Sequence, residues 1–247
     1  MRILIANPNT SQTVTDLLVA TARRHASAGT EIVGVTAQTG FPYIATRAEA
    51  AVGAYAALDL IARHRDGCDA VVVAAFGDPG LDAARELLSI PVVGLSEAAL
   101  LTSCMLGRKF GIVSFSSTLG PWFRDCVESH GLSGRLACIE LLDGSFRDIA
   151  DVQHEKEAEL VRLCNEAILK GADVAILAGA PLSGLAEKVA DRVAIPLVDG
   201  MAAAVRQAEV LAGLGFRKAT AGSMRRPGLK PNNGLPEALS ALFSGTA

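Results

Sequence analysis

Asp69-Ala70-Val71-Val72-Val73 and, 104 residues later, Asp173-Val174-Ala175-Ile176-Leu177 are two copies of one pattern: an acidic residue, then four apolar ones. A strand with one wet face alternates apolar and polar side chains. A strand covered on both faces runs continuously apolar, as these do. Each run leads into a glycine- and proline-bearing loop, Ala75-Phe76-Gly77-Asp78-Pro79-Gly80 in one case and Gly179-Ala180-Pro181-Leu182-Ser183-Gly184 in the other. Gly80-Leu81 and Gly184-Leu185 keep the offset of 104, and Ile90-Pro91-Val92-Val93 is matched by Ile195-Pro196-Leu197-Val198 at an offset of 105. Matching segments in the same order predict an internal duplication: two similar lobes related by a pseudo-twofold.

Outward from this pair, the same alternation fills the chain. Short apolar runs at Arg2–Ala6, Glu31–Val35, Ala70–Ala75 and Pro91–Gly94 read as strands, and so do Phe110–Phe115, Leu136–Leu141, Val174–Leu177 and Pro196–Val198. Helical patterns separate them at Thr13–His25, Arg47–Arg65, Leu81–Leu88, Gly120–His130, Val152–Lys170 and Leu185–Arg192. Alternating βαβα predicts an α/β protein, each lobe a Rossmann-like or flavodoxin-like parallel sheet between helices. The first lobe is expected over residues 1–97 plus about 201–220, where the helical stretch Met201–Ala212 returns to it; the second lobe takes 98–200. From Arg217 the chain becomes turn-rich and polar, so 221–247 reads as an extended arm closing with a short helix at Pro236–Phe243.

Composition narrows the function. The chain has 247 residues, half of them hydrophobic, enough for a sizeable core. Its formal charge of −3, with no long run of either sign, gives no reason to expect nucleic acid or an anionic membrane. The opening Met1–Ala6 run is too short for a signal peptide and no window is long enough to span a bilayer, so a cytoplasmic location is expected. The five cysteines are odd in number and show no CxxC spacing, which points to reduced thiols and no metal site. The four histidines fall in helical or helix-end patterns and read as surface residues. Nucleotide-binding and serine-hydrolase loop signatures are absent.

Ligands of open parallel sheets bind beyond the carboxyl ends of the strands, so an active-site cleft is expected between the lobes, lined by four loops. Asn7-Pro8-Asn9-Thr10-Ser11 leaves a strand and opens a helix, offering N–H groups and hydroxyls; its twin is Ser114-Phe115-Ser116-Ser117-Thr118. The same residue types serve equally as helix caps. From these the substrate-binding candidates are Asn7, Asn9, Thr10, Ser11, Ser114, Ser116, Ser117 and Thr118. The two glycine-bearing loops add Phe76, Gly77, Ala180, Pro181 and Leu182, with Asp78 as their carboxylate and either a catalytic group or a cap. Phe41-Pro42-Tyr43 supplies an apolar wall and a phenol, or simply a turn.

The combination of Asn7–Ser11, Phe76-Gly77-Asp78-Pro79-Gly80-Leu81-Asp82 and Pro91-Val92-Val93-Gly94-Leu95-Ser96-Glu97-Ala98-Ala99 resembles the hydantoin and allantoin racemases of the aspartate/glutamate/hydantoin racemase superfamily, over nearly the whole chain. That resemblance implies cofactor-independent proton transfer at an acidic carbon beside a carbonyl, on a small cyclic ureide or amino-acid derivative. It also implies two facing cysteines, one removing the proton and the other returning one. Ala75 and Gly179 stand at those two positions, so the two-thiol route is not available. The remaining alternatives are proton transfer by Asp78, Tyr43 or water, a decarboxylase or ring-opening hydrolase of the same superfamily, and a non-catalytic binding protein. A homo-oligomer is the expected assembly.

Overall fold

In a computed structural model, which describes residues 1–143, 148–149 and 151–245, eight strands form two four-stranded parallel sheets. The first sheet contains β1 (Arg2–Asn7), β2 (Glu31–Thr36), β3 (Ala70–Val73) and β4 (Val92–Gly94), in the order β2-β1-β3-β4. The second contains β5 (Phe110–Ser114), β6 (Leu136–Leu141), β7 (Val174–Leu177) and β8 (Leu197–Asp199), in the order β6-β5-β7-β8. The two orders correspond strand for strand, so the duplication legible in the sequence is a duplication of topology. The left-handed glycines repeat with it: Gly80 and Gly184 sit at φ +84 and +86, each opening a helix. Ile3 to Ala6, Ala70 to Val73 and Val174 to Ile176 are fully buried, as strands between two helix layers require.

The helices of the first lobe are α1 (Gln12–His25), α2 (Arg47–His64) and α3 (Leu81–Leu87). Ser11 caps α1, its side chain accepting from the Val14 N–H. Thr46 and Glu49 form a reciprocal capping box on α2, which satisfies two N–H groups with no partner inside the helix. α4 (Leu95–Leu106) then leads to the second lobe, with α5 (Gly120–Ser129), α6 (Val152–Glu155), α7 (Glu157–Leu169) and α8 (Leu185–Val189). The single helix expected over Val152–Lys170 is therefore broken at Lys156, whose φ of −116 is not helical. The Leu185–Arg192 pattern likewise ends early, at Val189, and continues as a 3-10 turn.

α9 (Gly200–Leu214) packs against α4 and α1, and its first residue abuts the start of α4: a Cβ on Gly200 would lie 3.0 Å from the Leu95 carbonyl oxygen. Residues 216–236 carry no helix or strand, after which α10 (Glu237–Ser244) buries Leu239 and Leu242 against α2. The arm is held by Arg226, whose guanidinium donates to the carbonyls of Leu87 and, at 2.7 Å, Leu242. Residues 246–247 of the expected arm lie outside the described part.

Candidate active site

The four loops converge. Asn9 after β1, Ala75 and Phe76 after β3, Phe115 after β5, and Gly179, Ala180 and Pro181 after β7 all line one cavity between the lobes. Tyr43 and Ile44 close it from the loop ahead of α2, and Leu119 and Phe123 from the other lobe. Its volume is about 30 Å³, room for roughly one water. That space is smaller than a five-membered ring compound.

Of the residues nominated from sequence, Asn9, Tyr43, Ala75, Phe76, Gly179, Ala180 and Pro181 reach this cavity. The others serve the loops that shape it. Asn7 is fully buried, and its amide donates to Asn9 Oδ1 at 2.9 Å and to Thr15 Oγ1 at 2.9 Å. Asn9 Oδ1 in turn accepts from the Ser11 N–H, so the pair fixes the turn into α1. The Thr10 N–H donates to the Phe41 carbonyl, and Phe41 and Pro42 are exposed. Ser114 Oγ donates to the Ala178 carbonyl at 2.7 Å, which ties β5 to the loop after β7. Ser116 and Thr118 bond each other at 2.8 Å, while Ser117 and Thr118 face solvent. Gly77 and Leu182 lie beside the cavity, Gly77 under the Trp122 ring and Leu182 fully buried.

Asp78 turns away from the cavity. Its backbone takes φ +49, the left-handed region, and its buried carboxylate accepts from the N–H groups of Ser96 (2.9 Å) and Glu97 (2.8 Å) and from Ser96 Oγ. It thus caps α4, rather than the next helix in sequence. Burial pushes its pKa up to about 6, against the pull of those donors. The second lobe solves the same problem from another position: Asp199, at the end of β8, accepts from Met201 and Ala202 to cap α9 and from the Gly184 N–H. The counterpart of Asp199 is Gly94, and a Cβ there would lie 2.7 Å from Asp78 Oδ1 and closer still to its other carboxylate atoms. The counterpart of Asp78 is Leu182. One carboxylate per lobe does this work, supplied from different strand ends.

Beside Asp78 lies a charged cluster that sequence reading missed. Arg85 pairs with Glu97 through both terminal guanidinium nitrogens, and His130 Nε2 lies 3.6 Å from Glu97 Oε1. Burial alone would raise Glu97, but His130 and Arg85 lower it to about 2. The Cys126 side chain and Glu97 raise His130 to about 11. His130 is therefore a half-buried cation rather than the surface residue its helix-end position suggested.

All five cysteines are free thiols, and none lines the cavity. Burial pushes Cys138 up to about 11 and Cys164 to about 12, out of range for proton transfer near neutral pH. Among the described residues, Tyr43 is the one titratable side chain on the cavity wall. A larger groove of about 750 Å³ runs between α4 and α9, with Leu101, Met105 and Val210 on its walls, away from the loops after β1, β3, β5 and β7.

Two duplicated parallel sheets with a small cavity at their facing strand ends define a two-lobed α/β protein whose lobes enclose that cavity. The chain belongs to the Asp/Glu/Hydantoin racemase family, whose model matches residues 3–208. It is 32% identical to the hydantoin racemase of Paenarthrobacter aurescens over 230 residues, 92% of this chain and 98% of that one. Among solved structures, the allantoin racemase from Klebsiella pneumoniae superposes with a TM-score of 0.91 at 32% identity, covering 97% of this chain and 98% of that one. That of Pseudomonas fluorescens gives 0.86 at 31%, covering 95% and 100%. Among the described residues no helix is long and apolar enough to cross a membrane.

Proposed function

We propose that the cleft binds a small, uncharged cyclic ureide or related carbonyl compound, of the kind its racemase relatives are named for, without passing a proton between two thiols. One observation carries the reading: Ala75 and Gly179 both line the cavity, and neither can hold a proton. Racemisation takes a proton from one face and returns one to the other, so it needs a titratable group on each. Among the described residues the wall bears no cation that would pair a substrate carboxylate, and it offers the Asn9 amide, the Tyr43 phenol and the backbone of the loops. Such a surface suits a neutral ring with carbonyl and N–H edges.

Tyr43 favours a second reading. As the titratable group on the wall it would serve chemistry that moves a proton at one face only, as decarboxylation followed by protonation does. Calorimetric titration with hydantoin and 5-methylhydantoin, paired with deuterium uptake at the acidic carbon in D₂O, separates the readings. The expected result is saturable binding with no protein-dependent exchange. Exchange that disappears in Tyr43→Phe would favour the second reading, and rapid racemisation by the unmodified protein would defeat the first.

A further inference from the structure

We propose that Phe115 sets the ligand class of this cleft: a flat ring carrying hydrogen or at most a methyl group at the carbon that lies between Ala75 and Gly179. The inference rests on the reading above and makes it narrower.

The two sides of the cavity are not equivalent. Ala75 presents a methyl group. On the other side Gly179 has φ +116, and a Cβ built there would lie 2.8 Å from Phe115 Cε1 and 3.6 Å from Cδ1. The aromatic ring stands where a side chain at 179 would project. Phe115 is 3% exposed, and the Ser114 hydroxyl, one residue earlier, bonds the Ala178 carbonyl, one residue before Gly179. That bond clamps the ring-bearing loop against the glycine loop. At the corresponding place in the first lobe the chain has Pro8, which does not line the cavity. At the two positions themselves the sides differ: a ring stands over Gly179, and a methyl group fills the Ala75 side.

An aromatic face offers a flat amide ring broad contact and no hydrogen bond, and offset stacking of this kind is favourable. A branched substituent on the ring carbon beneath would meet that face, with Leu119 and Phe123 completing the wall around it. Opening the lobes admits the ring but does not move Phe115 away from Gly179, because both belong to the second lobe and are joined through Ser114.

The test compares dissociation constants of hydantoin, 5-methylhydantoin and 5-isobutylhydantoin, by calorimetry, for the wild type, Phe115→Ala and Phe115→Leu. One methylene misplaced in an apolar pocket changes discrimination by roughly 10- to 200-fold. The wild type is expected to prefer hydantoin over the isobutyl compound by at least about 10-fold, and Phe115→Ala to reduce that ratio by a similar factor. Phe115→Leu, closer in volume, should narrow it less and serves if the alanine variant does not fold. A ratio near one in the wild type, or an unchanged ratio in the folded variants, overturns the assignment of Phe115 while leaving ureide binding intact. Failure of every protein to bind any of the three rings overturns the reading under Proposed function, and this inference with it.

Discussion

Replacing Gly77 by alanine should loosen the junction between the lobes, at a cost the geometry allows one to bound. Gly77 sits at φ +114, where an L side chain is strained, and the new Cβ would lie 2.7 Å from Trp122 Cη2 and nearer still to Cζ2 and Cε2. A residue held in a sparsely populated backbone region costs about 1–3 kcal/mol. Forcing an extra carbon into a packed contact costs about another 1–3 kcal/mol. The sum, about 2–6 kcal/mol, is a large share of the roughly 5–15 kcal/mol that typically separates folded from unfolded chains. Urea unfolding followed by circular dichroism measures it, and Trp122, the chain's one tryptophan, reports displacement of its ring by a red shift in emission. In a Trp122→Ala background the steric part vanishes, so the same substitution should cost only the backbone part, about 1–3 kcal/mol. An effect under about 0.5 kcal/mol, or equal costs in both backgrounds, would refute the reasoning.

Two further perturbations test the loops. Asp78 ordinarily titrates near 3.8 and is raised to about 6 by burial, so the folded state takes up a proton first as pH falls; the stabilisation is full below 3.8 and lost as pH rises through 6. Relative to Asp78→Asn, the wild type should gain about 2–3 kcal/mol between pH 7 and pH 4 in urea titrations, and parallel profiles would contradict this. Gly179→Cys, the substitution that would restore one family thiol, should destabilise by about 2–5 kcal/mol, from its left-handed backbone and its contact with Phe115. Combined with Phe115→Ala it should cost less than the sum of the two single changes, as melting temperatures can show.

Much of this architecture could be read from residues alone because it follows from periodicity. Continuous apolar runs at 70–73 and 174–177 mark strands buried on both faces, and their common offset marks two lobes. The convergence of Ala75 and Gly179 followed from the same offset. Less legible was what depends on side-chain direction. Ser117 and Thr118 carry the right chemistry for a ligand loop yet face solvent, whereas Phe115 and Phe123 look like ordinary core residues and form the cavity wall. Phe115 stands in the same loop as these hydroxyls, and its ring rather than they lines the cavity. The position of Asp78 in the loop after β3 is legible in the sequence, but which helix it caps depends on the packing of α4 and on the absence of a side chain at Gly94. The Glu97–His130 pair joins residues 33 apart on separate helices, and nothing in local sequence announces it.

The exchange of capping carboxylates between the lobes constrains how this sequence can drift. At position 94 any side chain collides with Asp78, and at position 78 loss of the carboxylate strips α4 of its cap while glycine at 94 offers no replacement. The second lobe holds the mirror arrangement, with the acid at 199 and leucine at 182. Each lobe is thus trapped in its own solution: moving from one to the other takes two substitutions, and either one made first passes through a damaged intermediate. Two halves with matching folds are in this way prevented from converging again in sequence, and the loop bearing Ala75 stays bolted to α4 by a residue of its own, while the loop bearing Gly179 depends on a carboxylate lent by β8.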